Sequence, residues 1–173
     1  MAIRVAINGF GRIGRAFARR SCGRDIEIVA VNDLGSLENL AYLLKYDTVY
    51  GRAPFSVEAS PSTGSGQSAL LIDGKEVKFF SEKDPAQLPW GELKVDVVVE
   101  STGFFTDYEK ARVHITAGAR RVVISAPAKG DGGATVLMGL NEERLSTCQI
   151  SSNASCTTNA ASPLIAILDE ALG

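Results

Sequence analysis

A glycine-rich turn near the amino terminus constrains the fold more than any other segment. Gly9, Gly11 and Gly14 stand in the spacing G-x-G-x-x-G, between a β-rich run at residues 3–7 and apolar residues at helical spacing through Arg20. In a strand–turn–helix–strand unit, the first glycine permits a tight turn, the second lets a pyrophosphate approach the backbone, and the third lets helix and strand pack closely. The spacing therefore predicts a dinucleotide-binding unit. A glycine-rich turn without a ligand is the alternative.

The rest of the chain continues this alternation of strand and helix patterns. β-rich runs occur at 26–31, 95–100, 121–125, 135–138 and 149–151, helical patterns at 37–46, 107–117 and 156–172, and a hairpin pattern at 69–80 around an Asp-Gly turn. The alternation predicts an α/β fold with a Rossmann-like, doubly wound, mostly parallel sheet and helices on both faces. Residues 60–68 are expected to form a polar surface loop, and Pro163 to kink the last helix.

Composition limits the class of protein. At 173 residues the chain is expected to form one domain, which buries roughly 70% of the surface of the unfolded chain. A net charge of −2 and a pI near 5.5 argue against nucleic acid as a partner. Because the sequence shows neither a signal peptide pattern nor a run of about 20 apolar residues, no membrane association and a cytoplasmic location are expected. Three cysteines without a CxxC pair, and a single histidine, argue against a disulfide framework and a metal site.

Polar residues follow several of the predicted strands. Asp33 ends the second strand, 19 residues after Gly14. A carboxylate there can accept hydrogen bonds from an adenosine ribose and would repel a 2′-phosphate, which favours NAD over NADP. An exposed turn or helix-capping aspartate is the alternative. The turns at 101–103 and 125–127 follow two further strands at the end where open α/β sheets bind ligands, although simple capping would also explain them.

Cys156 lies at the start of the last predicted helix, among small polar neighbours. The helix dipole and unpaired backbone N–H groups favour a thiolate there, and a thiolate can attack a carbonyl carbon. A buried small hydrophobe and a chance surface thiol are the alternatives. Cys22 and Cys148 are expected to be structural. His114, the single histidine, falls among charged residues of the predicted helix at 107–117, which predicts a solvated face and no catalytic role.

Five segments together resemble the glyceraldehyde-3-phosphate dehydrogenase family. They are residues 8–15 (NGFGRIGR), 31–33 (VND), 100–103 (ESTG), 125–129 (SAPAK) and 152–159 (SNASCTTN), which stand in the family's order over essentially the whole chain. The cysteine segment is highly specific, whereas the glycine spacing is shared with many dehydrogenases. Ala160 departs from the many relatives with a second cysteine there, which is not the nucleophile.

The resemblance implies NAD as the cofactor and a set of site residues. Cys156 would attack a small phosphorylated aldehyde to form a hemithioacetal, hydride transfer would leave a thioester, and inorganic phosphate would cleave it to an acyl phosphate. Ser155 and Thr157 would flank the substrate beside Cys156. The implied cofactor-binding residues are Asn8, Gly9, Phe10, Gly11, Arg12, Ile13, Gly14, Asn32, Asp33, Lys83, Thr102, Gly103 and Ser125.

The resemblance also implies that residues 1–173 are the NAD-binding domain, ending in the helix of the catalytic cysteine, without the substrate domain. The family's catalytic histidine, most of its phosphate-binding residues and most contacts of its homotetramer belong to that second domain. The isolated chain is therefore expected to bind NAD weakly, expose an apolar face and oxidise little aldehyde, whereas the complete enzyme would act in glycolysis. Erythrose-4-phosphate dehydrogenase and a non-catalytic nucleotide-binding module stay open as alternatives.

Overall fold

The computed structural model describes residues 2–61, 66 and 68–173. Its helices are α1 (Arg12–Ser21), α2 (Leu37–Lys45), α3 (Tyr108–Ala111), α4 (Val113–Thr116) and α5 (Cys156–Leu172). Its strands are β1 (Ile3–Asn8), β2 (Ile26–Asn32), β3 (Tyr46–Asp47), β4 (Gly51–Arg52), β5 (Val57–Ser60), β6 (Ala69–Ile72), β7 (Lys75–Phe80), β8 (Val97–Glu100), β9 (Arg121–Ile124), β10 (Ala134–Thr135) and β11 (Ile150–Ser152). Two 3₁₀ turns lie at Pro85–Gln87 and Glu142–Thr147.

The main sheet has the order β10-β11-β9-β8-β1-β2-β7-β6-β5 within the described part of the chain. The strands from β10 to β7 run parallel, and β6 and β5 continue the sheet with antiparallel pairing. β1 pairs with β2 on one side and β8 on the other, so the order of the chain reverses at β1. This topology confirms the predicted doubly wound, mostly parallel α/β fold.

Apolar side chains cover both faces of this sheet. On one face, Val5 and Ile7 of β1 belong to a buried cluster with residues of α1 and α2. On the other face, Ala6 belongs to a second cluster with Trp90 and residues of α3. Successive residues of a strand point to opposite faces, so β1 contributes to both cores. Each fully buried Val or Ile side chain stabilises the fold by about 1.5–3 kcal/mol.

The structure corrects the prediction for residues 107–117. The segment forms two short helices, α3 and α4, because the Arg112 N–H bonds to the Glu109 carbonyl in a tight turn that interrupts the α-helical ladder. The predicted solvated position of His114 was wrong, since its side chain is 0% exposed. Its ring lies near the rings of Trp90 and Phe105 and hydrogen-bonds to Trp90 and Glu100.

Three further boundaries differ from the sequence prediction. The strand predicted at 135–138 stops at Thr135, because the Asn141 side chain bonds to the Thr135 carbonyl and the Leu137 N–H and forms a turn. The helix predicted at 37–46 ends at Lys45, and the next residue begins β3. Ser60, expected to begin a loop, ends β5, and the rest of that predicted loop falls largely on residues 62–65 and 67, outside the described residues. Pro163 lies inside α5, and its kink stays a prediction.

Candidate functional site

A groove opens at the carboxyl ends of the central parallel strands. Its volume is about 490 Å³, which is within the range of small-molecule sites. The groove lies beside β1, where the strand order reverses, and this is the usual ligand position in open α/β sheets. The lining residues are Asn8, Gly9, Gly11, Asn32, Asp33, Leu34, Glu82, Lys83, Pro85, Ser101, Thr102, Phe104 and Phe105.

The glycine turn between β1 and α1 forms one wall of the groove. Gly9 has φ +92°, and a Cβ there would lie 2.6 Å from the Thr102 nitrogen, so only glycine fits. A Cβ on Gly14 would overlap the Gly9 carbonyl oxygen, which shows how closely α1 approaches β1. Gly11 differs from both, because a Cβ there would meet no described atom within 4 Å. The space above Gly11 is therefore open to a ligand.

The amino terminus of α1 begins at this open space. Gly11 is the N-cap residue and forms no side-chain cap, and Arg12 and Ile13 follow as exposed residues of the first turn. The first N–H groups of a helix have no intrahelical partners and carry the positive end of the helix dipole. An anion is stabilised at such a terminus. The residues present therefore fit the pyrophosphate of a dinucleotide.

Asp33 follows β2 on the opposite side of the turn. Its Oδ2 accepts a hydrogen bond from the Phe10 N–H at 2.6 Å, and its Oδ1 accepts one from the Gly35 N–H at 2.8 Å. Each carboxylate oxygen has a second acceptor site, so both can also receive a ribose hydroxyl. The backbone bonds fix the orientation of the carboxylate in advance of any ligand.

Two buried amides connect the walls of the groove. The Asn32 side chain donates to Asn8 Oδ1 at 2.7 Å and pairs with both the N–H and the carbonyl of Glu82. Asn8 Nδ2 in turn donates to Glu100 Oε2 at 2.6 Å. These side chains line the groove, but their polar atoms hold the loop before Lys83 against the ends of β1 and β2.

Cys156 is the first residue of α5, and its side chain is exposed. Ser155 caps the helix by accepting a hydrogen bond from the Thr158 N–H at 3.0 Å. The preceding Ala154 has φ +60°, a strained conformation for a residue with a side chain, and it turns the chain from β11 into α5. The thiol thus belongs to the first residue of a 17-residue helix that follows β11.

The structure places the sequence-predicted residues in four groups. Arg12 and Ile13 are exposed in the first turn of α1, outside the groove lining. Asn8, Gly9, Gly11, Asn32, Asp33, Lys83 and Thr102 line the groove. Gly14 packs behind the turn, and the Phe10 side chain is buried in the core beneath it. Gly103, Ser125 and the segment 155–157 lie outside the groove lining, after β8, β9 and β11 on the same edge of the sheet.

Sequence reasoning missed the apolar part of the groove. Leu34 and Phe104 are 64% and 83% exposed, and Pro85 and Phe105 lie beside them in the lining. Exposed large apolar side chains at a ligand groove suit a flat, weakly polar group such as a nucleotide base. Their positions in the sequence could have identified them, because Leu34 directly follows Asp33 and Phe104 follows the turn at 101–103.

The three cysteines are all free thiols. Cys22 is half-buried at the carboxyl end of α1, and Cys148 precedes β11. Burial raises the pKa of the Cys22 thiol, the Asp73 carboxylate raises it further, and Lys75 opposes the change. At neutral pH Cys22 is therefore a poorer nucleophile than an ordinary exposed thiol.

No group of three or more His, Cys, Asp or Glu side chains in the described ranges could hold a metal ion. No helix in that same part of the chain has the length and apolar character needed to cross a bilayer.

The fold and the groove together define a class of protein. Dinucleotide-binding domains share three features. They have a doubly wound sheet, a glycine turn that begins a helix where the strand order reverses, and an acidic residue after the second strand. Residues 3–108 match a family model described as glyceraldehyde 3-phosphate dehydrogenase, NAD binding domain. The chain belongs to the glyceraldehyde-3-phosphate dehydrogenase family, and this domain of the family binds NAD.

Curated relatives extend the similarity over the whole chain. Glyceraldehyde-3-phosphate dehydrogenase 2 of Streptomyces avermitilis is 50% identical over 177 residues, covering 100% of this chain and 51% of the relative. Glyceraldehyde-3-phosphate dehydrogenase of Thermotoga maritima is 50% identical over 174 residues, covering 98% of this chain and 50% of the relative. A chloroplastic relative from Chondrus crispus is 45% identical, covering 100% of this chain and 42% of its own length. The chain spans about half the length of the curated relatives that it matches.

Proposed function

We propose that this chain supplies the NAD-binding groove and the nucleophilic cysteine of a phosphorylating glyceraldehyde-3-phosphate dehydrogenase. The observation that carries the proposal is the position of Cys156. Its exposed thiol begins a long helix on the same edge of the sheet as the groove, two strands away from β8. Among the three free cysteines, it alone is exposed, whereas Cys22 and Cys148 are partly buried.

In the proposed enzyme, the groove residues bind and orient the cofactor. The amino terminus of α1, with Arg12 and Ile13, holds the pyrophosphate above Gly11, and Asp33 accepts the adenosine ribose hydroxyls. Lys83 and Thr102 complete the walls on the two sides of the adenosine half. Gly103 and Ser125, which follow β8 and β9 on the same edge of the sheet, would hold the nicotinamide half. Bound NAD supplies the acceptor for a hydride.

Cys156 carries the covalent chemistry. Its thiolate attacks the aldehyde carbon of a small phosphorylated substrate, and the carbonyl oxygen becomes the hydroxyl of a hemithioacetal. Loss of hydride and a proton converts this group to a thioester on Sγ. Inorganic phosphate then attacks the thioester carbon, forms an acyl phosphate and releases the Cys156 thiolate. Ser155 and Thr157 lie on either side of the reacting carbon.

The chain by itself is expected to bind NAD but to oxidise little aldehyde. Its single histidine, His114, is buried and hydrogen-bonded on both ring nitrogens, so no imidazole of this chain can act as a base for Cys156. The resemblance to the family implies that the catalytic histidine belongs to the substrate domain. We place residues 1–173 as one NAD-binding domain of a cytoplasmic homotetramer.

A fused protein tests this function. Residues 1–173 are joined to the part of the Thermotoga maritima relative that the chain does not cover, and NADH formation is followed with glyceraldehyde 3-phosphate, NAD and phosphate. We expect phosphate-dependent NADH formation by the fusion and very little by the chain alone. Cys156→Ser should lower kcat by about 10³-fold or more, as loss of a nucleophile does.

Cys148→Ser is the matched control, because Cys148 lies between the 3₁₀ turn Glu142–Thr147 and β11 and is not at the start of a helix. A cooperatively melting fusion that keeps its activity after Cys156→Ser would refute the proposed nucleophile. Robust phosphate-dependent NADH formation by the 173-residue chain alone would refute the need for a histidine supplied by the substrate domain.

A further inference from the structure

A buried carboxylate lies behind the wall of the groove. Glu100, the last residue of β8, is 2% exposed. Its Oε1 accepts hydrogen bonds from the Thr102 N–H at 2.8 Å and the Thr102 hydroxyl at 2.5 Å. Its Oε2 accepts from Asn8 Nδ2 at 2.6 Å and pairs with His114 Nε2 at 2.8 Å. Within the described part of the chain, no lysine or arginine forms an ion pair with it.

The direction of the hydrogen bonds follows from Trp90. An indole N–H can only donate, and Trp90 Nε1 lies 3.1 Å from His114 Nδ1. Nδ1 must therefore accept, which leaves the proton of a neutral imidazole on Nε2, directed at Glu100. The carboxylate then accepts four hydrogen bonds: one from the Asn8 amide, two from Thr102 and one from the His114 imidazole. This pattern fits an ionised Glu100 beside a neutral His114.

The hydrogen bonds of Glu100 reach three loops that line the groove. Through Thr102, whose hydroxyl also accepts from the Phe104 N–H at 3.1 Å, the carboxylate holds the loop after β8. Through Asn8 it holds the end of β1, directly before the glycine turn. Asn8 Oδ1 accepts a hydrogen bond from Asn32 Nδ2, and Asn32 Oδ1 accepts one from the Glu82 N–H, directly before Lys83.

We propose that Glu100 is a positioning residue for NAD binding. Its carboxylate sets the relative placement of the three loops that form the groove, and His114 with Trp90 sets the orientation of the carboxylate. Glu100 itself does not line the groove, so it acts through Asn8 and Thr102. The proposal rests on NAD occupying this groove.

The substitution Glu100→Gln distinguishes a positioning role from a purely structural one. Glutamine has nearly the same shape and would preserve packing, but its NH₂ group would face two donors that now bond to one carboxylate oxygen. The conflict cannot be relieved by moving the histidine proton to Nδ1, because Nδ1 faces the Trp90 N–H. The loops must therefore shift.

Glu100→Gln and Glu100→Asp test the proposal together. Aspartate keeps the charge, but it is one methylene shorter and cannot reach Thr102 and Asn8 at once, so it remains useful if the glutamine variant fails to fold. Ile150→Ala is the matched control, because Ile150 is fully buried in the same apolar cluster as Trp90 and makes no hydrogen bond to this network through its side chain. NAD affinity is measured by calorimetry well below the melting temperature of each protein.

Both Glu100 variants should raise the Kd for NAD by about tenfold or more, since the groove would no longer be preorganised. Ile150→Ala should lower the melting temperature and leave the Kd unchanged. An unchanged Kd in the folded Glu100 variants would overturn the proposal, as would the same rise in Ile150→Ala.

NMR of the chain without ligand supplies a readout that is independent of NAD. In the wild type, the Thr102 amide proton should resonate downfield, as an amide bonded to a carboxylate does, and the imidazole ¹⁵N shifts should show a proton on Nε2 alone. Both signatures should change in the Glu100 variants. A His114 that carries its proton on Nδ1, or a Thr102 amide that does not respond to Glu100→Gln, would refute the positioning role even if NAD does not bind.

Discussion

At the scale of single residues, the three glycines of the first turn differ in what surrounds them. Gly9 and Gly14 face protein backbone, whereas Gly11 faces open space. The G-x-G-x-x-G spacing predicts all three roles from sequence, because each role depends on neighbours within the same strand–turn–helix unit. The fold therefore requires two of these glycines, and we propose that the ligand requires the third.

Gly14→Ala should destabilise the fold. A methyl group there overlaps the Gly9 carbonyl oxygen and must push α1 away from β1, a change that typically costs about 1–3 kcal/mol. Urea unfolding measures the loss, and Gly11→Ala, which adds the same atoms into free space, should stay within about 0.5 kcal/mol of the wild type. Equal free energies of unfolding for the two variants would show that the close approach of helix and strand is misplaced.

Asp33→Ala should weaken NAD binding more than NADP binding. The substitution removes the acceptor for the ribose hydroxyls and also the charge that repels a 2′-phosphate. A lost hydrogen bond to a charged group corresponds to about tenfold or more in Kd. Calorimetric titration with each cofactor gives the two ratios. The same loss for both cofactors would argue against a ribose contact.

His114 shows where residue-level prediction fails. Its neighbours in sequence are charged, which indicates solvent, but its contacts are to Glu100 and Trp90, 14 and 24 positions away. Burial of a polar residue depends on which distant partners can satisfy its hydrogen bonds. No local pattern carries that information.

At the scale of elements, strong sequence patterns were sufficient to predict a helix or strand, and weak patterns were not. β1, β2, α1 and the β6–β7 hairpin were predictable, because apolar periodicity and turn residues agree in each of them. The early end of β10 was not, since it depends on the Asn141 side chain competing for the backbone of Thr135 and Leu137. The short helices α3 and α4 differ from one predicted helix by a single tight turn.

α5 should be the least protected of the long helices. None of its 17 described residues is buried, and Leu164, Ile165, Ile167, Leu168 and Leu172 are exposed. The stability of a helix in a protein comes chiefly from packing its apolar face, so α5 amides should exchange by local opening.

Hydrogen exchange followed by NMR should therefore show α5 amides exchanging well before those of β1 and β8, which pair in the middle of the sheet. The amides of α1, a helix with buried residues, are the control within the same chain. Protection of α5 equal to that of β8 would show that the apolar face of α5 is covered in solution.

At the scale of the whole molecule, the order of strands decides where the site lies. The carboxyl ends of β1, β2, β7 and β8 meet at one edge, and the reversal at β1 leaves space between the loops that follow them. Sequence identified the edge, because Asp33 and Thr102 follow predicted strands. The apolar lining and the buried network behind it emerged only from the assembled sheet.

Calorimetric titration of NAD into the wild-type chain and Gly11→Ala tests whether the glycine turn holds the pyrophosphate. The added methyl group contacts no described atom, so the variant should keep the melting temperature of the wild type while blocking the approach of the pyrophosphate. We expect saturable 1:1 binding of NAD to the wild type and a Kd raised about tenfold or more in Gly11→Ala. Equal affinity of the two proteins, or a folded wild type that binds no NAD, would contradict this role of the glycine turn.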